Sequence, residues 1–284
     1  MAHIRPGRDR LRIFNSNSAC KGRATLPGRG CSPLRDRQKG ARTVWNAIPY
    51  CGAGPVPDAL WSRWNLDPIL LSALALLLGW AVLRPPGRPR RAALAGWAVL
   101  VLAFVSPLCA LSSALFSARV VHHVLLVAVA APLLALALPS PRRNLSLGLA
   151  VPAHILALWL WHAPPLYAAA LSSHALYWAM QASLLGTGLW FWAAALARRE
   201  TPLPYLAALL TMMAQMGLLG ALITFAPGAL YLPHLETTQP WGLSPLQDQQ
   251  LGGLIMWVPA SLAYLGAALL RAAEELREPR RGAA

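Results

Sequence analysis

Carboxylates are scarce in this chain: Asp and Glu together number 10 among 284 residues, and each stands in a loop, in a tail or at the edge of an apolar run. No acid/base pair of the hydrolase kind and no carboxylate-rich Mg, Ca or di-iron site can be built inside the apolar segments from so few. Cysteine is equally thin. Cys20, Cys31, Cys51 and Cys109 show no CxxC or zinc-type spacing and are too sparse for a disulfide framework. No nucleophile elbow, HExxH, P-loop or Gly-rich dinucleotide turn occurs. Residues 1–42 contain no apolar run long enough for a signal-peptide core. These absences leave little room for an enzyme.

What is abundant is apolar surface. The chain is 56% hydrophobic and 12% charged, whereas soluble domains carry about 25% charged residues. An integral membrane protein follows. Its net charge of +15 would suit nucleic acid, but the basic residues lie in short loops and tails beside apolar runs, so nucleic acid is not an expected partner.

Seven runs match the roughly 17 to 25 residues that cross a ~30 Å hydrocarbon core: 66–83, 92–112, 120–139, 145–162, 175–196, 203–225 and 250–270. Their apolarity is continuous rather than amphipathic, which predicts an all-α membrane domain of seven transmembrane helices. Arg84, Arg88, Arg90, Arg91, Arg142, Arg143, Arg198, Arg199, Arg271, Arg277, Arg280 and Arg281 fall on one side, against Arg119 alone in the loops between runs on the other. The positive-inside rule places the C-terminus in the cytoplasm and the N-terminus outside. Residues 1–46 read as a disordered basic leader and 47–284 as the membrane domain. The leader's eleven Lys and Arg would have to cross ahead of a short first helix, so a functional start near Val44 is expected.

On this topology the soft metal ligands converge at the outer end. His122 and His123 open the third run, His162 closes the fourth, and His234 lies in the loop before the seventh. Met212, Met213 and Met216 sit in the sixth run. Imidazole and thioether together suit copper, so His122, His123, His162, His234, Met213 and Met216 form the candidate ligand set. Read singly, each has a plain structural alternative: an interfacial histidine tip or a packing methionine. His154, mid-run, reads as a hydrogen bond to a neighbouring helix.

The segment Ser244–Pro259 places Asp248, Gln249 and Gln250 where a polar loop enters an apolar helix, with Gly252 and Gly253 allowing another backbone to approach. Asp248 reads as an N-cap for that helix. This mouth, together with Ile48–Gly52, Trp64–Pro68, Ala130–Leu134, Trp159–Pro164 and Met216–Ala226, resembles the CtaG family of cytochrome c oxidase assembly proteins, named for the caa3-type oxidase. The resemblance runs from about residue 48 to 270. It implies a seven-helix protein of the inner (plasma) membrane that matures a haem-copper oxidase, helping copper reach the oxidase subunits. Arg119 and Gln181 stand where the family often has histidine. A copper-handling metallochaperone is therefore the leading expectation. A metal-free scaffold for oxidase subunits and, further off, a haem-binding membrane oxidoreductase are the alternatives; oligomeric state is not legible.

Overall fold

Proline positions decide where the apolar runs break into helices. The computed structural model describes residues 48–138, 146–197 and 203–277, and the expected leader 1–46 lies outside them. Among these residues there is helix and no strand. In chain order the helices are α1 Pro68–Val82, α2 Arg88–Phe104 and α3 Pro107–Ala114. Next comes α4, Phe116–Ala137, which contains a π-helical stretch at Leu125–Ala130. Then follow α5 Leu147–His162, α6 Pro164–Ser172, α7 His174–Leu196 and α8 Leu203–Thr224. The last, α9, runs from Pro245–Ile255 through a π-helical Met256–Ala260 into Ser261–Arg277.

Each of the seven apolar runs is thus helical, but they are not seven equal spans. Helices α4, α8 and the stretch Pro245–Ala273 of α9 are long and apolar enough to cross a membrane singly. Two bent pairs bring the number to five if each counts once: α2 with α3 at 47°, and α5 with α6 at 75°. Pro107 and Pro164 occupy the first turns after these bends, where a missing N–H costs nothing and φ is preset. Helix α1 is apolar but short. Helix α7 has the length, but His174, Gln181, Ser183, Thr187 and its aromatic residues dilute its hydropathy. Chains of this kind cross the bilayer several times.

The helix that positions everything else is α4. Of the three long spans it is 61% buried, against 39% for α8 and 28% for α9, and it packs on α2, α3, α7 and α9. Arg119, expected in an outer loop, lies instead one turn inside this helix with 0% exposure. Hydropathy ends a run at a charge; here tertiary enclosure carries the helix past it.

Small residues set the approach of α9. A Cβ on Gly252 would stand 2.6 Å from the Phe116 ring of α4. One on Gly253 would stand 2.7 Å from both the Gly220 carbonyl and the Thr224 nitrogen of α8, and would collide with the Thr224 hydroxyl. The glycine pair therefore does what its sequence context predicts, bringing two backbones close on two sides. Because the obstacle at Gly253 is backbone rather than a movable side chain, Gly253→Ala is expected to cost about 1–3 kcal/mol through overpacking. Gly79→Ala, where a Cβ meets open space, should be near neutral. Thermal melts of the two purified variants test the contrast.

One correction concerns cysteine. Cys51 and Cys109 form a disulfide across 58 residues of sequence, with Cα atoms 5.3 Å apart. It ties the lead-in before α1 to the first turn of α3. Sparse cysteines with no motif spacing give no sign of such a pair, because the proximity is created by the fold.

Candidate functional site

The polar residues buried at the disulfide end of the bundle come from α4, α5, α6, α7 and the loop between α8 and α9. His122 and His123 are fully enclosed on α4, and His162 is enclosed at the last turn of α5. Their rings form a series, with centroids 6.0 Å apart for His122 and His123 and 5.5 Å for His123 and His162. The Phe104 ring stands edge-on to His122 at 4.9 Å. Neither nitrogen of His123 has a hydrogen-bond partner, nor has Nε2 of His162, and His122 makes no well-formed hydrogen bond, with the Ala103 backbone beside it. His162 Nδ1 bonds the Leu158 carbonyl at 2.7 Å, which leaves Nε2 as the lone-pair nitrogen. So many buried imidazole nitrogens without well-formed hydrogen bonds are unusual, since buried polar groups are nearly always paired.

His234, although in a loop, is buried beneath the aromatic lid of Phe116, Tyr167 and Tyr231. Its Nδ1–H donates to the Ala114 carbonyl at 3.2 Å, and its Nε2 accepts from the Tyr167 hydroxyl at 2.6 Å. Both nitrogens are thereby used in closing the loop over the end of α3. Burial pushes its pKa down to about 3; the Ala114 bond opposes this and the Arg119 charge adds to it.

Met216 is buried on α8, and Met213 is half-buried against the core with its carbonyl accepting from Ser261. Their helix packs chiefly on α9 and α5. His154 behaves as its sequence position suggests. It donates from Nδ1 to Thr187 on α7 at 2.9 Å, because the Thr187 hydroxyl is itself donating to Ser183.

The mouth of α9 proves to be a set of pins. Ser244 and Gln247 form the capping box of α9. Asp248 is buried and caps another helix, which corrects its expected role. Its Oδ2 accepts from the Phe116 N–H at 2.6 Å, and Oδ1 from the Ser117 N–H at 3.1 Å and the Ser117 hydroxyl. The first residues of α4 have no side-chain cap of their own, so α9 supplies it. Gln249 holds the loop after α8, accepting from Leu230 N–H at 2.6 Å and donating to the Ile223 and Gly228 carbonyls. Gln250 is half-buried beside them.

Three participants lay outside the expected set. Arg119 is buried with its guanidinium carbon 5.3 Å over the Tyr177 ring and its N–H groups beside the Tyr167 and Tyr177 hydroxyls, without well-formed hydrogen-bond geometry. Its charge is felt at Tyr167, Tyr177, His122, His123 and His234. Gln181, one turn after Tyr177 on α7, is buried with its amide beside the Tyr177 hydroxyl, without well-formed hydrogen-bond geometry. Arg119 carried a signal, as the single basic residue in the loops of its side. Gln181, like Arg119, stands where the family often has histidine; Tyr177 carried no signal beyond being polar in an apolar run.

The architecture is that of a multi-pass helical membrane protein with a closed polar cluster at one end. The family model of the cytochrome c oxidase caa3 assembly factor matches residues 73–151 and 146–278. The chain belongs to that family. Comparison with curated proteins and with solved structures gave no match. Membership makes cytochrome c oxidase its partner and oxidase assembly its context.

Proposed function

We propose that this assembly factor handles copper at the outer face of the inner membrane, through His122, His123 and His162, and passes it to an oxidase subunit. The observation that carries this reading is the run of three buried imidazoles on two helices whose nitrogens are left without well-formed hydrogen bonds, save His162 Nδ1. Neutral imidazole is a copper ligand in either oxidation state. The neighbouring Arg119 charge opposes a divalent ion more than a monovalent one, which favours Cu(I). Among the described residues no three His, Cys, Asp or Glu side chains are arranged to hold a metal ion. Ligands on separate helices that do not form a closed site suit transient custody, which a chaperone needs, better than permanent storage. His234, with both nitrogens engaged, and Met213 and Met216, on α8, are not required as ligands.

The disulfide supports the outer placement. Such bonds persist in oxidising compartments, and Cys51 lies 3.5 Å from the hydroxyl of Tyr177, whose ring faces Arg119. The cluster and the disulfide therefore share one end. The twelve Lys and Arg of the other loops and the C-terminal tail supply the cytoplasmic side in a seven-span arrangement with the N-terminus outside. The role is non-catalytic: Asp248, the one acid buried in the bundle among the described residues, is fully used as a helix cap.

The test is copper stoichiometry on the full chain in detergent with ascorbate, beside a His122→Ala/His123→Ala/His162→Ala variant. About one copper per chain, lost in the variant and kept in His174→Ala, is the expected result. Equal copper in both proteins sinks the site. No copper in either, in a protein whose deletion still costs the cell its oxidase, leaves the metal-free scaffold.

A further inference from the structure

Among the described helices, α1 packs substantially on α2 alone, and it leaves a groove of about 510 Å³ between itself, α2 and α7. The lining residues recur at i, i+3, i+4 and i+7 on both sides, from Leu70 to Leu77 on α1 and from Trp178 to Leu185 on α7, so the groove runs along the helix axes. Its lining is apolar except for Asp67 at the mouth and Gln181, whose amide is shielded. From Asp67 to Leu77 the chain advances ten residues, about 15 Å of helix. That is half of the ~30 Å hydrocarbon core, the depth of one leaflet. A partner helix does not fit inside, because an α-helix of that length and ~10 Å across fills roughly 1,200 Å³. A single acyl chain does.

The mouth lies at headgroup depth. Trp61 and Trp64, 77% and 54% exposed just before α1, are of the type that settles at a membrane–water interface, and Ile69, 81% exposed, begins the lipid-facing surface. Asp67 Oδ1 caps α1 by accepting from the Ile69 and Leu70 N–H groups at 2.8 and 3.0 Å. The side chains that act on this carboxylate are the Tyr50 hydroxyl and the His174 imidazole, neither of them a fixed cation. A carboxylate standing over an apolar groove complements an ammonium joined to an acyl chain.

We propose that the groove between α1, α2 and α7 holds one acyl chain of a phospholipid with a primary ammonium head, and that Asp67 binds the ammonium. Such a head donates charge-assisted N–H bonds to the carboxylate; a quaternary ammonium has no N–H to give, and an anionic head is repelled. The far wall of the groove leads to the polar cluster. Phe104 and Trp178 stack on each other at 5.6 Å in that wall, and Phe104 stands edge-on to His122 behind it. The bound chain therefore braces the cover of the imidazoles. The site uses no copper ligand and goes beyond the copper reading.

The test uses the full chain, delipidated in neutral detergent with copper chelated, so that failure of the copper reading leaves it untouched. Dioleoyl phosphatidylethanolamine, phosphatidylcholine and phosphatidylglycerol are titrated while bound lipid is counted by native mass spectrometry and the melting temperature is followed. One phosphatidylethanolamine per chain is expected, with the other two about tenfold weaker or more. Asp67→Asn keeps the helix cap and should abolish the preference by weakening phosphatidylethanolamine to the level of phosphatidylcholine. Ala182→Phe, at an exposed lining position of α7, fills the groove and should remove binding of all three lipids at an unchanged melting temperature of the lipid-free protein. Equal binding of the three lipids to wild type, or a preference that survives Asp67→Asn, overturns the role of Asp67. Binding unchanged in Ala182→Phe overturns the groove. In native membranes a photo-reactive side chain at Ala73, on the α1 wall, should link to phospholipid; links to a helix of an oxidase subunit or to a second copy of this chain would give the groove to that partner and overturn the proposal.

Discussion

Replacing Asp248 by Ala is expected to destabilise the protein by about 3–5 kcal/mol, more than the Gly253→Ala overpacking. The estimate follows from what is left behind. The Phe116 and Ser117 N–H groups are buried, sit at the start of α4 and have no side-chain cap from their own segment. Each would lose a charged acceptor and keep its desolvation cost, at about 1–3 kcal/mol per orphaned donor. The carboxylate also faces the positive end of the α4 dipole, a favourable placement that Ala removes. Asp248→Asn retains one acceptor oxygen and should fall near half the loss. Denaturant titration of both variants in detergent tests the ordering, and a loss below about 1 kcal/mol for Asp248→Ala would show that α4 does not depend on this cap. Because α4 bears Arg119, His122 and His123, the same variant should disturb the whole polar cluster.

That dependence also shows what a linear reading of this chain reaches. Local chemistry was legible: the seven apolar runs are helical, His162 does close its helix, the glycine pair at 252 and 253 does admit neighbouring backbones, and His154 does bond an adjacent helix. The misses share a cause, which is partnership across long separations. Asp248 was assigned to its own helix because an N-cap signal is read within a few residues, whereas its partners lie 132 and 131 positions away. Arg119 was placed in a loop because a charge ends a hydropathy window, although an enclosed helix can carry one if something compensates it. His234 reads as a loop histidine from its flanking residues, and only the fold delivers Tyr167 and Ala114 to its two nitrogens. Periodicity reports the face a residue occupies. It does not report who stands opposite.

The disulfide belongs to the same class, and its removal is the second large effect. Closing a loop of 58 residues lowers the entropy of the unfolded chain by an amount worth about 4 kcal/mol in the loop-closure model. Cys51→Ser/Cys109→Ser should therefore melt well below wild type. A reductant should lower the wild-type melting temperature to that of the variant and leave the variant unmoved. Equal melting temperatures for oxidised wild type and variant would remove the bond from the stability of the fold. The expected loss also has a local address. Cys51 anchors the lead-in that stacks Tyr50 on Tyr177 at 4.8 Å, and the Asn65 amide reaches Cys109 and the Phe104 carbonyl. Tyr177 covers Arg119, and Phe104 stands against His122. Breaking the bond thus loosens two walls of the polar cluster at once, while α8 and α9, held to each other by Gly220 and Gly253, keep their packing. Hydrogen exchange in the reduced protein should accordingly rise first at 48–65 and around the ends of α2 and α7 next to the disulfide, with the α8–α9 contact protected. Uniform loss of protection would mean that the disulfide supports the bundle as a whole rather than the cover of its polar end.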